Sequence, residues 1–261
     1  MPHLNFVKQG RGPVVMLSHA LGCDLSMWDE VAQILARHYT VLRYDHRGHG
    51  RSERLPGPFT MAAFADDAAS LIQEHADGPV SFVGLVLGGM VGQQLALRYP
   101  HLVTSIVMAN SATYFDGVIR QRLLARAKMA LDHGMEGVAQ EAMGRWFSPA
   151  FLADPHGAAT AAQLRSVLVE ADPQVYVSTC QAILDVDFGG SNPLIACPTL
   201  VIAAKHDDSI TLDKGAALSR SISGAELRTL DTGRMSAVEK PYEFAALVRE
   251  FLRTQRDPAM A

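Results

Sequence analysis

Val80-Ser81-Phe82-Val83-Gly84-Leu85-Val86-Leu87-Gly88-Gly89-Met90 is a β-branched, apolar run that ends in glycine and turns within a few residues. It then re-enters a helix-forming run through Gln93, Gln94, Leu95, Ala96 and Leu97. The order is strand, tight turn, helix. Gly84 and Gly88 stand two places either side of Val86, which is the frame G-x-S-x-G with valine in the central place. Such a turn lifts its central side chain to the carboxyl end of a strand, where a hydroxyl can attack a bound carbonyl. Valine has no proton to give and no lone pair. The turn also asks for a positive φ, an outlier for a β-branched residue, so Val86 is expected to be strained or the turn relaxed. The plain alternative, a buried strand entering a helix with no chemistry attached, is disfavoured by the motifs that surround it.

The chain of 261 residues is long enough to bury a substantial core, as one α/β domain or a domain with an insertion. Its composition, 48% hydrophobic and 19% charged, reads as soluble and globular. A formal charge of -4 and the absence of a basic run give no sign of nucleic acid or a membrane surface as partner. A small-molecule ligand is the default. Met1-Pro2-His3-Leu4 does not open a charged-then-apolar leader and no apolar run is long enough to span a bilayer, so a cytoplasmic location is expected. Cys23, Cys180 and Cys197 are an odd count without C-x-x-C spacing, which indicates neither a disulfide framework nor a zinc site. Cys197 lies in an apolar run and reads as packing. The oligomeric state is not legible.

Leu4 to Lys8 and Val14 to Ser18 read as strands, followed by Ser18-His19-Ala20-Leu21-Gly22, Trp28 and an amphipathic helix over about 26–37. A turn at this point can aim backbone N–H groups above the sheet, with Ala20 or Leu21 as one donor and Leu87 as the other. His19 could act as a base, although a histidine at a strand end is more often a hydrogen-bonded structural residue. Thr40 to Tyr44 is a strand that runs into Asp45-His46-Arg47-Gly48-His49-Gly50-Arg51-Ser52. Its two histidines lack a third ligand, so the loop reads as a hydrogen-bonded clamp rather than a metal site. Thr60 caps a helix whose core stripe is Met61, Phe64, Ala65, Ala68, Leu71 and Ile72. Thr104 to Ala109 is a further strand, and strands alternating with helices imply a mostly parallel sheet with helices on both faces.

From Thr113 to Gly190 only helical runs appear, broken at Gly134, Ser148-Pro149, Asp154-Pro155 and Asp172-Pro173. The spacing predicts a helical cap over 113–190 on a core made of 1–112 and 191–261. Met129, Met143, Trp146, Phe147 and Tyr176 could line a pocket roof or the cap's own core. Strands return at Pro198 to Ala204 and Glu226 to Asp231, with a helix over about 212–222 between them. A last helix begins at Pro241 and buries Phe244, Leu247, Val248, Phe251 and Leu252.

In this order of turn, elbow, late acid and terminal loop, the chain resembles the α/β-hydrolase superfamily. Within it the likeness is to 3-oxoadipate enol-lactonases, bacterial hydrolases that open an enol-lactone. The residues that carry it are Leu21-Gly22-Cys23-Asp24-Leu25-Ser26-Met27-Trp28, Arg43 to Gly50, Gly84 to Met90 and Arg145-Trp146-Phe147. The resemblance covers nearly the whole chain. It implies that Asp207 is the acid that orients a histidine, with Asp208 the weaker candidate. It also exposes two departures: Val86 stands at the serine position, and Gly233-Arg234-Met235-Ser236 puts Arg234 at the histidine position.

Arginine stays protonated in proteins, so it cannot replace a histidine base. Either Arg234 pairs with Asp207, which would otherwise be a buried charge without a partner, or it faces the pocket and holds a substrate carboxylate. His19 and Trp146 are further candidates to touch substrate. Cys23 is a formal alternative nucleophile but reads as a small packing residue. No metal and no cofactor is called for. Three functions compete: a hydrolase scaffold with its chemistry impaired, a lyase, isomerase or decarboxylase that stabilises an enolate, and a ligand-binding protein without catalysis.

Overall fold

Seven short β-branched runs form one sheet in the computed structural model, which describes residues 2–255. They are β1 (Phe6–Gly10), β2 (Val14–Ser18), β3 (Thr40–Tyr44), β4 (Val80–Leu85), β5 (Val103–Ala109), β6 (Thr199–Ala204) and β7 (Glu226–Leu230). The order across the sheet is β1-β3-β2-β4-β5-β6-β7, with β1 antiparallel to β3 and every other pair parallel. β6 is buried at every position, as a strand covered on both faces must be. β7 sits at the edge and carries the polar Glu226, Arg228 and Thr229.

Helices flank this sheet: α1 (Asp29–Leu35), α2 (Met61–His75) and α3 (Leu87–Arg98) come before or between the first five strands. The helix expected over 26–37 is shorter, because the Asp24 carboxylate accepts from Ser26 N–H and holds Leu25–Trp28 in a 3₁₀ turn first. Thr60 does cap α2, and the expected core stripe on that helix is buried throughout. Between β5 and β6 run α4 (Gly117–Trp146), α5 (Pro149–Ala153), α6 (Pro155–Val169) and α7 (Pro173–Leu184). Each expected break has a visible cause. Gly134 bends α4 at φ 70°, and Ser148, Asp154 and Asp172 each cap a helix whose first residue is proline. The chain closes with α8 (Leu212–Arg220), α9 (Ser236–Glu239) and α10 (Pro241–Thr254), the last burying Phe244, Val248, Phe251 and Leu252 while Leu247 is half-buried. Among the described residues no helix is long and apolar enough to cross a membrane.

The strand order itself locates a crevice. After β2 the chain crosses to β3 on one side, and after β4 it crosses to β5 on the other, so β2 and β4 are neighbours whose exits diverge. Ligands bind at the carboxyl ends of strands where the winding reverses in this way. Residues 18–22, Val86, the 205–210 loop and the 231–235 loop all leave strands at that edge.

A clamp of polar groups fixes the β2 and β3 ends. The Asp45 carboxylate accepts from Leu25 N–H at 2.7 Å, from Asn5 Nδ2 at 2.7 Å and from Arg51 N–H at 2.9 Å. Arg47 forks onto Asp67, with Nε and Nη2 each 2.7 Å from a carboxylate oxygen. His19 is buried with both nitrogens engaged: Nδ1–H donates to Ala20 O at 2.8 Å and Nε2 accepts from His46 N–H at 2.9 Å. His46 and His49 are also buried, their rings 4.3 and 5.3 Å from that of His19. Burial lowers the pKa of all three, for His49 to about 3, and for His46 and His49 the neighbouring His19 adds to the effect.

These histidines are neutral when folded and titrate near 6.5 when unfolded. Their folded pKa is depressed, so the native state is favoured fully above that pH and loses ground as pH falls below it. The slope is up to about 1.4 kcal/mol per pH unit for each histidine. Urea titrations between about pH 6.5 and 4.5 are expected to show a steadily falling midpoint, and His49→Gln is expected to flatten the slope by roughly one proton. A midpoint that stays level over this range would exclude a neutral cluster.

Candidate active site

The turn between β4 and α3 is built by close approach. A Cβ on Gly84 would lie 2.1 Å from Gly88 backbone, and one on Gly88 would lie 2.0 Å from Ser18 O, so only glycine fits at either place. Between them Val86 adopts φ 52°, ψ -104°. That conformation costs a β-branched residue about 1–3 kcal/mol, and it persists because its neighbours impose it. Val86 N–H donates to Ala109 O at 2.9 Å, while Val86 O accepts from Gly89 N–H, Met90 N–H and Ser111 Oγ. The turn is therefore the strained form, and the isopropyl group is half-buried at its tip, facing the cavity.

Leu87 is the first residue of α3, so its N–H has no acceptor inside the helix and lies at the positive end of the helix dipole. Across from it, Ala20 N–H donates to Met27 Sδ at 3.4 Å. Both Ala20 and Leu21, the two residues expected to offer a facing donor, line the same cavity as Val86. His19 does not line that cavity, and its nitrogens are occupied as described, so the expectation that it touches substrate gives way to the structural one. The Cys23 thiol is buried and pushed well above its ordinary pKa, first by burial and then by Asp24, which removes it as a nucleophile.

Asp207 follows β6 and is fully enclosed. Arg234 Nε lies 3.2 and 3.1 Å from its two oxygens, and Nη2 lies 2.7 Å from Oδ1. Ser209 N–H and Ile210 N–H each donate to Oδ1 at 2.9 Å, and Asn110 Nδ2 approaches Oδ2 at 3.4 Å. Burial alone would raise this carboxyl, but the Arg234 charge and the hydrogen bonds outweigh it and hold its pKa below the usual carboxylate value. Arg234 thus pairs with Asp207, the first of the two expectations, and it also lines the cavity. Asp208 is exposed and makes no ion pair with Arg234.

The cavity has a volume of about 510 Å³. Trp146 is buried and lines it, along with Met129 and Tyr176. The loop that carries Arg234 is tied to the end of α4: Met235 N–H donates to Trp146 O at 3.0 Å. Glu239 completes the tie, accepting from Gly233 N–H at 2.8 Å, Ser148 N–H at 3.0 Å and Ser148 Oγ at 2.7 Å. Glu239 had no signature in the sequence beyond a lone acid on a short helix. Arg126 and Arg145 also line the cavity; Arg126 was hidden, since an arginine on a helix normally reads as a solvated face, and Arg145 stood in the Arg145-Trp146-Phe147 run without a role.

Comparison with known proteins fits this geometry. Residues 13–134 match the model of the α/β hydrolase fold. The chain is 30% identical to 3-oxoadipate enol-lactonase 2 of Acinetobacter baylyi, over 96% of this chain and 93% of that protein. Among solved structures, the enol-lactonase from Burkholderia xenovorans superposes with a TM-score of 0.92 at 32% identity, covering 97% of each chain. A hydrolase from Pseudomonas aeruginosa superposes with a TM-score of 0.89 at 34% identity, covering 95% of this chain and 94% of that one.

Removing Arg234 would strand the Asp207 charge in the interior. Arg234→Ala is expected to cost about 3–5 kcal/mol in urea denaturation at pH 7. Because the folded Asp207 pKa is depressed, the pair's contribution is present above the unfolded value near 3.9 and fades as pH falls through the folded one. A loss below about 1 kcal/mol at pH 7 would show that the pair is not holding the site together.

Proposed function

The chain belongs to the α/β-hydrolase family and is of the enol-lactonase and esterase type; from that premise we propose that it keeps the binding frame of a hydrolase without the two groups that perform serine-type acyl transfer. In this reading Val86 occupies the nucleophile position, Arg234 the histidine position, and Asp207 the position of the acid. The helical segment 113–190 serves as a cap over a core of residues 1–112 and 191–261. The observation that carries the reading is the strained, positive-φ turn that presents Val86 to the cavity.

The chemistry follows from what each group can exchange. Valine offers no atom to a carbonyl carbon. Arg234 has no free basic nitrogen near neutral pH, and two of its nitrogens are already donating to Asp207. The Leu21 and Leu87 N–H groups remain able to polarise a carbonyl or stabilise an oxyanion. A frame of this kind still gives roughly 10³–10⁴-fold over water in proteases stripped of their triads, which would register as weak esterase activity. The same pair of donors also suits an enolate oxygen, so turnover of a small carboxylated substrate as a lyase, isomerase or decarboxylase is the second reading. Binding without turnover is the third.

Val86→Ser combined with Arg234→His is expected to raise kcat/KM for p-nitrophenyl acetate by about 10²-fold or more, with either change alone giving far less, because nucleophile and base act as a unit. The double variant should also become labelled by a fluorophosphonate. A folded double variant with no gain and no label would overturn the reading. Hydrolysis by the unmodified chain through a trapped acyl adduct on any side chain would do the same.

A further inference from the structure

The helix α7 is seated on glycines. A Cβ on Gly48 would lie 2.6 Å from Val175 Cγ1, and one on Gly57 would lie 2.2 Å from Ser178 Oγ, so this helix comes closer to the core loops than a side chain there would permit. Between those two contacts Tyr176 descends on Gly22. Its Cε2, the ring carbon beside the one that bears the hydroxyl, lies 3.5 Å from where a Gly22 Cβ would stand. Gly22 follows Leu21, which lines the cavity together with Val86. The seating of α7 therefore fixes a phenol beside the turn that offers backbone N–H groups.

Tyr176 is only 3% exposed, and it lines the cavity. Its hydroxyl forms no hydrogen bond among the described residues, yet it is not sealed off as Trp28 Nε1 and Thr232 Oγ1 are. An enclosed oxygen that is unbonded and still open to space is open to the cavity. Other tyrosine hydroxyls are engaged: that of the buried Tyr44 shares a hydrogen bond with Ser18 Oγ at 3.2 Å, and that of Tyr99 donates to Asp66 at 2.8 Å. Burial, and then the Cys180 thiol, push the Tyr176 phenol up to about 12 against the opposing charges of Arg126, Arg145 and Arg234. It keeps its proton. Guanidiniums are donors only, so the charged groups nearest to it supply no acceptor for that proton.

A buried hydroxyl without a partner is unfavourable, and the balance is restored when a ligand brings an acceptor. We propose that the Tyr176 hydroxyl is a ligand-contacting hydrogen-bond donor, reaching from α7 to an oxygen atom that the Leu21 and Leu87 N–H groups approach from the sheet edge. The cavity then selects a ligand with an exposed oxyanion or carbonyl oxygen at that place, gripped from both sides. The inference rests on the cavity assigned above being the ligand site, and it requires no acyl chemistry.

The test uses the full, unmodified chain and p-nitrophenolate, an aromatic oxyanion with a strong visible absorption, beside 4-nitroanisole, in which a methyl group caps the same oxygen. p-Nitrophenolate is expected to bind with its band moved to shorter wavelength, as donors draw charge onto its oxygen. Tyr176→Phe is expected to weaken it at least about tenfold, the loss of one hydrogen bond to a charged group, and to return part of the band shift. All three arginines stay in place in this variant, so attraction by charge alone would leave affinity and band unchanged. 4-Nitroanisole should bind the two proteins equally, and exposed Tyr114→Phe should leave p-nitrophenolate binding as it was. Without ligand, Tyr176→Phe should keep or raise Tm, since it removes an unbonded hydroxyl and keeps the ring; this separates loss of binding from loss of fold. Equal affinity and band position in Tyr176→Phe, a lowered Tm in that variant, or no p-nitrophenolate binding at millimolar concentration would each overturn the proposal. Failure of the serine and histidine restoration would leave it standing.

Discussion

The molecule is organised by how closely α3 approaches the ends of β2 and β4. Gly88 packs so near Ser18 O, and Gly84 so near Gly88, that a single methyl at either place has no room. This contact forces the chain to reverse within one residue, and that residue takes a positive φ whatever its side chain. The same reversal turns Val86 toward the cavity and opens α3 with the Leu87 N–H at its mouth. A feature that costs a β-branched residue about 1–3 kcal/mol is retained because undoing it would separate the helix from the sheet.

A second constraint is the buried carboxylate of Asp207. Ser209 and Ile210 N–H groups, Asn110 and the sheet end hold it in place whether or not a base is available, so it needs a cation or a hydrogen-bond donor. Arg234 meets that need with three contacts. Ser236 Oγ, donating to Asn110 Oδ1 at 2.7 Å, and Glu239, bridging the loop to Ser148, carry the support outward to the helices between β5 and β6. An arginine at this place is structurally well accommodated.

The fold was legible because it rests on local rules. Apolar β-branched runs, the Thr60 cap, the Gly134 bend and the Ser-Pro and Asp-Pro starts of α5, α6 and α7 announce themselves within a few residues. The tight turn at Val86 and the pairing of Arg234 with Asp207 were legible too, since spaced glycines announce the one and a buried acid calls for the other. Other long-range partners were not. Nothing near Ala20 reveals that Met27 sulfur takes its N–H, and nothing near His19 reveals that His46 N–H takes its ring nitrogen. Arg126 and Arg145 are the sharper case. On a helix wheel they are ordinary polar positions, and only the packing of α4 against α7 over the sheet leaves them half-buried along the cavity.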